Sequence, residues 1–130
     1  MNSTLKYIVL ALLLIGALLL SAATEALAQG VAMDYIAAPD VYKVVAQDPN
    51  AKYVMVEGVW KPGQRDAFHS HPAMFYYWVT PCSVRFYLPD GSAHTHNVLA
   101  GQAGFQLPVP SHSVENISPA ECRVVLFESK

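Results

Sequence analysis

The sequence predicts an all-β protein, a sandwich or barrel formed by one domain. From residue 53 onward, short runs of β-branched and aromatic residues alternate with turn residues at a spacing of roughly ten residues. No helical periodicity is found between these runs. The tripeptide Pro89-Asp90-Gly91 separates two of them and is a strong hairpin signal. A chain of 130 residues is also too short for several domains.

Six or more short strands are expected in the second part of the chain, most of them followed by proline, glycine or another turn residue. Six of them are residues 53–60, 75–80, 84–88, 93–99, 104–107 and 123–127. Residues 29–52 are less regular and are interpreted as an N-terminal arm or a short helix. The expected barrel is therefore formed by residues 53–130.

Residues 1–28 have the pattern of a cleavable secretory signal peptide. Lys6 precedes 14 uncharged residues, 7–20, and Ala26-Leu27-Ala28 is an A-x-A cleavage site. The alternative is an uncleaved membrane anchor, but a helix that crosses a bilayer needs about 20 apolar residues. We therefore expect a periplasmic or secreted protein, without stable membrane anchoring after cleavage.

The charge of the chain excludes one class of partner. The formal net charge is −2, and lysine and arginine are nowhere clustered. Because binding to nucleic-acid phosphates needs clustered basic residues, we expect no nucleic-acid partner.

Five histidines are the candidate chemical groups. Two pairs have the spacing H-x-H, namely His69 with His71 and His94 with His96, and His112 stands apart. Side chains at i and i+2 of a strand share one face, about 7 Å apart along the strand. Two such imidazoles can bind one metal ion if a third ligand comes from another strand. Spacing alone leaves open the alternative of a solvent-facing pair.

The surroundings of the first pair resemble the cupin family. Gly63 stands six residues before His69, and together with His71 it matches the opening of the first cupin motif, G-x5-H-x-H. The second motif, G-x5-P-x-G-x2-H-x3-N, is matched at Gly101, His112 and Asn116. The resemblance covers roughly residues 54–127. It implies a single-domain, cupin-type jelly-roll β-barrel.

The resemblance also implies a metal site with an unusual ligand set. In cupins a glutamate commonly follows the second histidine of the first motif, after three or four intervening residues. This chain has Phe75 and Tyr76 at those two positions. The implied ligands are then three histidines: His69, His71 and His112. The cofactor would be a divalent transition metal, namely Fe, Zn, Cu, Mn or Ni. Three neutral ligands leave such an ion its full charge and open coordination positions.

Two more pairs of residues are placed by the resemblance. His94 and His96 lie between the two motifs, where the family has no metal ligand, and we expect them to face solvent. Cys82 and Cys122 lie at strand ends that the cupin topology brings near each other. An oxidising compartment would allow a disulfide there, and two free thiols are the alternative.

Strand alternation then predicts the walls of a pocket. If Phe75 takes the glutamate position, the inward residues are Phe75, Tyr77 and Val79, joined by Phe105, and the outward residues are Tyr76 and Trp78. Tyr77 is the candidate for a hydroxyl that hydrogen-bonds a metal-bound ligand, with ordinary core packing as the alternative. Arg65 is the candidate for a clamp on a substrate carboxylate, with a solvated turn contact as the alternative. The outward aromatic residues predict a homodimer contact, since cupins often dimerise.

The expected function is that of an exported, metal-binding cupin that takes a small-molecule ligand or substrate. As an enzyme it would be a metal-dependent oxidoreductase of the dioxygenase type, or it would use the metal as a Lewis acid. The alternatives are a non-catalytic binding module and a metal-free, isomerase-like cupin with histidine as the base. The fold alone does not choose among them.

Overall fold

The structure is a computed structural model that describes residues 30–130. The predicted signal peptide, residues 1–28, lies outside this range. Strands dominate the described residues, which confirms the predicted all-β class. One short helix, α1 (Asp34–Ala37), precedes nine strands within this range: β1 (Tyr42–Gln47), β2 (Tyr53–Trp60), β3 (His69–His71), β4 (Met74–Trp78), β5 (Cys82–Tyr87), β6 (Ala93–Val98), β7 (Ala103–Gln106), β8 (Val109–Asn116) and β9 (Cys122–Ser129). No helix in residues 30–130 is long and apolar enough to cross a membrane.

The strands form two antiparallel sheets. The larger sheet has the order β1-β2-β9-β4-β7 and the smaller one the order β3-β8-β5-β6. Buried side chains of both sheets belong to one hydrophobic cluster. The sheets therefore pack face to face around a common core, as in a sandwich or flattened barrel.

The centre of the larger sheet shows the alternation that creates this core. Along β2, Val54, Val56 and Trp60 are buried, and the residues between them are more exposed. Gly58 occupies the remaining inward position of this strand. A Cβ atom there would lie 2.9 Å from the ring of Tyr42 and 3.0 Å from that of Trp60, so the packing of these two rings requires glycine.

The predicted hairpin after residue 88 is confirmed. Strands β5 and β6 pair from Cys82 with Val98 to Tyr87 with Ala93. Gly91 in the connecting turn has a φ of +86°, a conformation that glycine adopts without strain. This hairpin places β6 at the edge of the smaller sheet, next to the cavity described below.

The segment interpreted as an N-terminal arm contributes to both sheets. Within residues 29–52, β1 pairs with β2 as the edge strand of the larger sheet. Upstream of it, Met33 forms a parallel bridge with Ser70 on β3, whose amide donates to the carbonyl oxygen of Ala32 at 2.9 Å. The segment before β1 is therefore attached to the strand that carries His69 and His71.

A disulfide joins the two sheets. Cys82 begins β5 of the smaller sheet, and Cys122 begins β9 of the larger one. The two residues are bonded, and their Cα atoms are 5.6 Å apart, within the usual range for a disulfide. Of the two alternatives left by the sequence, the structure has the disulfide.

Candidate metal centre

The pairing of β3 with β8 brings three histidines together. His69 and His71 are the first and last residues of β3, and His69 pairs directly with His112 on β8. Their side chains point into the core and are only 0%, 5% and 8% exposed, respectively. The histidines that the cupin resemblance implied as ligands thus converge, and we refer to them as the histidine cluster.

The ring nitrogens of the histidine cluster have the spacing of metal ligands. The Nε2 atom of His69 lies 3.0 Å from the Nε2 atom of His71 and 3.0 Å from that of His112. A histidine nitrogen lies about 2.1 Å from a metal such as zinc, so two ligands at roughly 90–110° are about 3.0–3.4 Å apart. The three nitrogens can therefore hold one ion, and an imidazole set suits transition metals.

Burial keeps these imidazoles in the form that binds metals. The Nδ1 atom of His69 donates to the carbonyl oxygen of Ala67 at 2.8 Å, so in the neutral ring its Nε2 atom presents a lone pair. Burial lowers the pKa of His69 and of His71 to about 4. Burial, together with the nearby imidazoles, lowers the pKa of His112 to about 2. At neutral pH the three rings are therefore uncharged, which is the state in which imidazole binds metals.

Two buried carboxyl groups lie behind His71. The Nδ1 atom of His71 is 2.8 Å from Oε1 of Glu128 and 3.8 Å from Oδ2 of Asp34. Burial raises the pKa of Glu128 to about 7 and that of Asp34 to about 6. A carboxylate on the far nitrogen of a ligating histidine orients the ring and increases its basicity. Glu128 therefore positions His71 for metal binding.

Neither carboxyl group was predicted from the sequence, although the pattern around Glu128 contains a signal for it. In β9, Val124, Leu126 and Glu128 are buried alternately, so the glutamate continues an inward-facing series. The predicted strand ended at residue 127, two positions before the observed end at Ser129, and so left this glutamate out. Asp34 had no comparable signal, because its burial depends on the docking of α1.

A third buried carboxylate fixes the loop that leads into β3. Asp66 accepts a hydrogen bond from the indole nitrogen of Trp60 at 3.0 Å and from the amide of Val114 at 2.6 Å. Its Oδ1 atom also lies 3.6 Å from Nδ1 of His69. The residue thus ties three neighbouring segments together beside the histidine cluster.

Arg65, the predicted clamp on a substrate carboxylate, lies away from the cavity in the structure. Its Nε atom donates to Oγ of Ser113 at 2.8 Å, and its guanidinium lies 3.6 Å from the ring centroid of Tyr87. The side chain does not line the cavity. The cation–π contact and the hydrogen bond hold it on the other side of the smaller sheet.

A cavity of about 450 Å³ opens beside the histidine cluster. His71 and His112 belong to its lining, as do aromatic side chains of both sheets: Tyr42, Trp60, Tyr76, Trp78 and Phe86. A cavity of this size accommodates a small organic molecule. The predicted apolar pocket beside the metal site therefore exists, but other residues form it.

The predicted orientation of β4 is inverted. Met74, Tyr76 and Trp78 line the cavity. Phe75, Tyr77, Val79 and Phe105 are instead 60%, 49%, 40% and 55% exposed. Tyr77 therefore does not reach a ligand in this cavity. Aromatic residues occupy both faces of this strand, so hydrophobicity could not reveal which residues point inward.

The prediction that His94 and His96 face solvent is only partly correct. Both side chains are exposed, but they also line the cavity from β6. Their ring centroids are 5.1 Å apart. The cavity therefore has two further imidazoles besides those of the histidine cluster.

Comparison with solved structures identifies the architecture. The chain is similar to a cupin domain from Bordetella pertussis Tohama I, with a TM-score of 0.62 and 21% identity over 69% of this chain and 92% of that one. This chain has the cupin fold. A second match is an uncharacterised conserved protein with a double-stranded β-helix domain from Klebsiella pneumoniae, with a TM-score of 0.53 and 21% identity over 68% of this chain and 75% of that one.

A third solved structure is that of a longer enzyme, of which this chain covers only a small part, and two sequence comparisons give no match. An oxalate decarboxylase matches with a TM-score of 0.51 and 23% identity over 68% of this chain, which spans only 25% of that enzyme's chain. No family model matches the sequence, and neither does any curated protein. The similarity therefore shows the cupin fold, and any activity has to be inferred from the site.

Within the cupin fold, this chain lacks the glutamate that commonly follows the two motif histidines. The inward position there is occupied by Tyr76, which lines the cavity. The buried glutamate of this protein comes from the last strand and contacts the far side of a histidine ring. The carboxyl group of Glu128 is therefore placed to orient His71, a candidate metal ligand, rather than to bind the metal itself.

The buried position of Glu128 predicts a pH-dependent stability for the metal-free protein. Because burial raises its pKa from 4.5 to about 7, the folded chain between these pH values retains a proton that the unfolded chain has released. Its contribution to stability is therefore lost as the pH rises through this window. We expect Glu128→Gln to be more stable than wild type by on the order of 2 kcal/mol at pH 7.5, and by little at pH 4.5.

Urea denaturation in the presence of a chelator measures this effect. Glu121→Gln, a change at a largely exposed glutamate, is the control and should show no such pH dependence. An equal difference between Glu128→Gln and wild type at both pH values would contradict the prediction.

Proposed function

We propose that this protein is an exported metal-binding cupin that presents a divalent transition metal to a small organic molecule. The observation that carries this proposal is the convergence of the Nε2 atoms of His69, His71 and His112, with two contacts of 3.0 Å, at a cavity of about 450 Å³. The three nitrogens would hold the ion, and the cavity would hold the ligand beside it.

The surrounding residues have defined tasks in this proposal. Glu128 and the carbonyl of Ala67 orient the rings of His71 and His69 through their Nδ1 atoms. The aromatic walls exclude water from the ligand and provide apolar contacts. A bound ion would supply Lewis acidity and, if it is redox-active, the capacity to react with dioxygen. We therefore propose a metal-dependent oxidoreductase as the enzyme class.

Elemental analysis of the protein, purified without a histidine tag, tests the metal site. We expect about one equivalent of Fe, Zn, Cu, Mn or Ni per chain, and loss of this metal on chelation. Absence of tight binding after reconstitution with each of these ions would contradict the proposal and would favour a metal-free, isomerase-like cupin. A bound metal without oxygen consumption across a panel of small organic acids would favour a non-catalytic binding module.

Export is supported by the disulfide between Cys82 and Cys122, because such bonds persist in oxidising compartments. The test is the mass of the protein in the periplasm and medium of a bacterial host. We expect a chain that lacks residues 1–28. A full-length chain confined to the cytoplasm would contradict export.

The homodimer that we propose uses a different surface from the predicted one. Tyr76 and Trp78 point into the cavity and are not available. On the outer side of the larger sheet, Phe127 pairs with Met55 and with Phe75, and Phe75 pairs with Phe105. We call this exposed row the outer apolar face. The side chains are 38–60% exposed, which is unusual for large apolar groups on a free surface.

A second copy of the chain is the occupant that we propose for this face. Five strands at a spacing of about 4.8 Å and a strand length of about 20 Å give a flat area of roughly 500 Å², so residues around the rim of the face would have to contribute to reach the about 800 Å² that a stable interface buries per partner. We expect a dimer in sedimentation experiments and a monomer for Phe75→Glu. Leu99→Glu, a matched change 71% exposed outside this face, should remain dimeric. A monomeric wild type would contradict the proposal.

A further inference from the structure

The polar groups of the cavity are divided into an inner and an outer set. The inner set consists of His71 and His112 of the histidine cluster. The outer set consists of His94 and His96 on β6 of the smaller sheet, and Gln102 and Gln106 line the cavity from the larger sheet, just before and at the end of β7. In the described part of the chain, no aspartate, glutamate, lysine or arginine lines the cavity. A bound metal would therefore be its dominant fixed charge.

Phe86 fixes the position of the two outer histidines relative to the metal centre. Its ring stacks on His94 with a centroid distance of 5.5 Å and an interplanar angle of 17°, and it contacts His96 edge-on at 5.4 Å. The same ring lies 5.5 Å from His112. Through Phe86, His94 lies two strand spacings from Val114, and His112 is two residues further along β8, so the backbones of His94 and His112 are about 12 Å apart.

We propose that His94 and His96 form an outer subsite that donates hydrogen bonds to the carboxylate of a small acid, whose other end binds the metal at the histidine cluster. This inference rests on the proposed metal site. An imidazole has at least one N–H donor in either protonation state, and two rings 5.1 Å apart can each serve one carboxylate oxygen. The absence of acidic side chains from the described lining leaves such an anion unopposed.

The cavity walls define the rest of this ligand. Phe86 of the smaller sheet lies between the two sets of histidines, in contact with His94 and His112, and Tyr76 and Trp78 line the cavity from the larger sheet. Aromatic walls favour a planar, apolar body, because stacked and edge-on ring contacts add to the burial of apolar area. The ligand class is therefore a small aromatic carboxylic acid with a metal-chelating group opposite its carboxylate.

A matched pair of chelators tests the outer subsite on protein loaded with Zn²⁺. Benzohydroxamate has the chelating group and the ring, and 4-carboxybenzohydroxamate adds the carboxylate. We expect the carboxylated probe to bind wild type about 10-fold more tightly by calorimetry, since a charge-assisted hydrogen bond is worth about 1.4 kcal/mol or more. In His94→Gln/His96→Gln this preference should disappear, while the affinity for benzohydroxamate stays unchanged.

The controls separate this inference from the metal site itself. Thr95→Gln makes a similar change on the opposite face of β6 and should keep the 10-fold preference. Zinc content is measured on every sample. Failure of wild type to bind zinc would overturn the metal site and the subsite together. Three results obtained with zinc retained would overturn the subsite alone. These are a wild type without preference for the carboxylated probe, a double variant with the same preference as wild type, and binding of neither probe.

Discussion

Replacement of His112 by alanine is expected to abolish stoichiometric metal binding. Its Nε2 atom supplies the only contribution of β8 to the histidine cluster and lies 3.0 Å from that of His69. Only two of the three imidazoles would then remain to bind the metal ion. At micromolar protein concentration we expect dialysis to remove the ion. The measurement is the metal content of the purified variant, compared with about one equivalent in wild type.

His94→Ala is the matched control for this variant, because it removes an imidazole from the same cavity but not from the cluster. It should keep its metal. A His112→Ala protein that still held one tight equivalent would show that the ion binds elsewhere. Thermal unfolding should accompany both measurements, so that loss of metal is not confused with loss of the fold.

Removal of the disulfide is expected to have the largest effect on stability. Cys82 and Cys122 are 40 residues apart in the sequence, and closing a loop of that length restricts the unfolded chain by about 3–4 kcal/mol. We expect Cys82→Ala/Cys122→Ala to lose roughly this much free energy of unfolding. Urea denaturation of the metal-free proteins is the measurement.

Reduction of wild type provides the control for the double variant. A reductant should lower the stability of wild type towards that of Cys82→Ala/Cys122→Ala and leave the variant itself unchanged. If the reductant had no effect on wild type after unfolding and refolding, the cross-link would not contribute as we expect.

Much of the site could be predicted because it depends on local spacing. In β3, the H-x-H pattern alone places His69 and His71 on one face, and the motif resemblance pointed to His112. The hairpin at residues 89–91 was likewise predicted from a short-range signal. In each case the residues that define the feature are close in sequence or belong to a recognisable pattern.

The orientation of β4 could not be predicted for a physical reason. Its residues Phe75, Tyr76, Tyr77 and Trp78 are all aromatic, so both faces of the strand are apolar. Alternation reveals the inward face only where the two faces differ in polarity. The choice is made instead by packing against β9 and β7, and the outward residues form the outer apolar face.

The buried carboxyl groups behind His71 were missed because their surroundings are assembled from distant segments. Glu128 lies 57 residues from the histidine that it contacts, and Asp34 belongs to a short helix with no periodic signal. Arg65 illustrates the reverse case. Its position in the motif loop favoured a ligand contact, but Tyr87 and Ser113 from other strands hold it elsewhere.

The long sequence separations within the metal centre have a consequence for folding kinetics. His69 and His112 are 43 residues apart, so the centre forms only after the chain has closed large loops. A metal ion that binds this arrangement finds no site in the early, partly folded chain. The bound ion should therefore slow unfolding and leave the folding rate almost unchanged. It would lengthen the lifetime of the folded protein without making the protein fold faster.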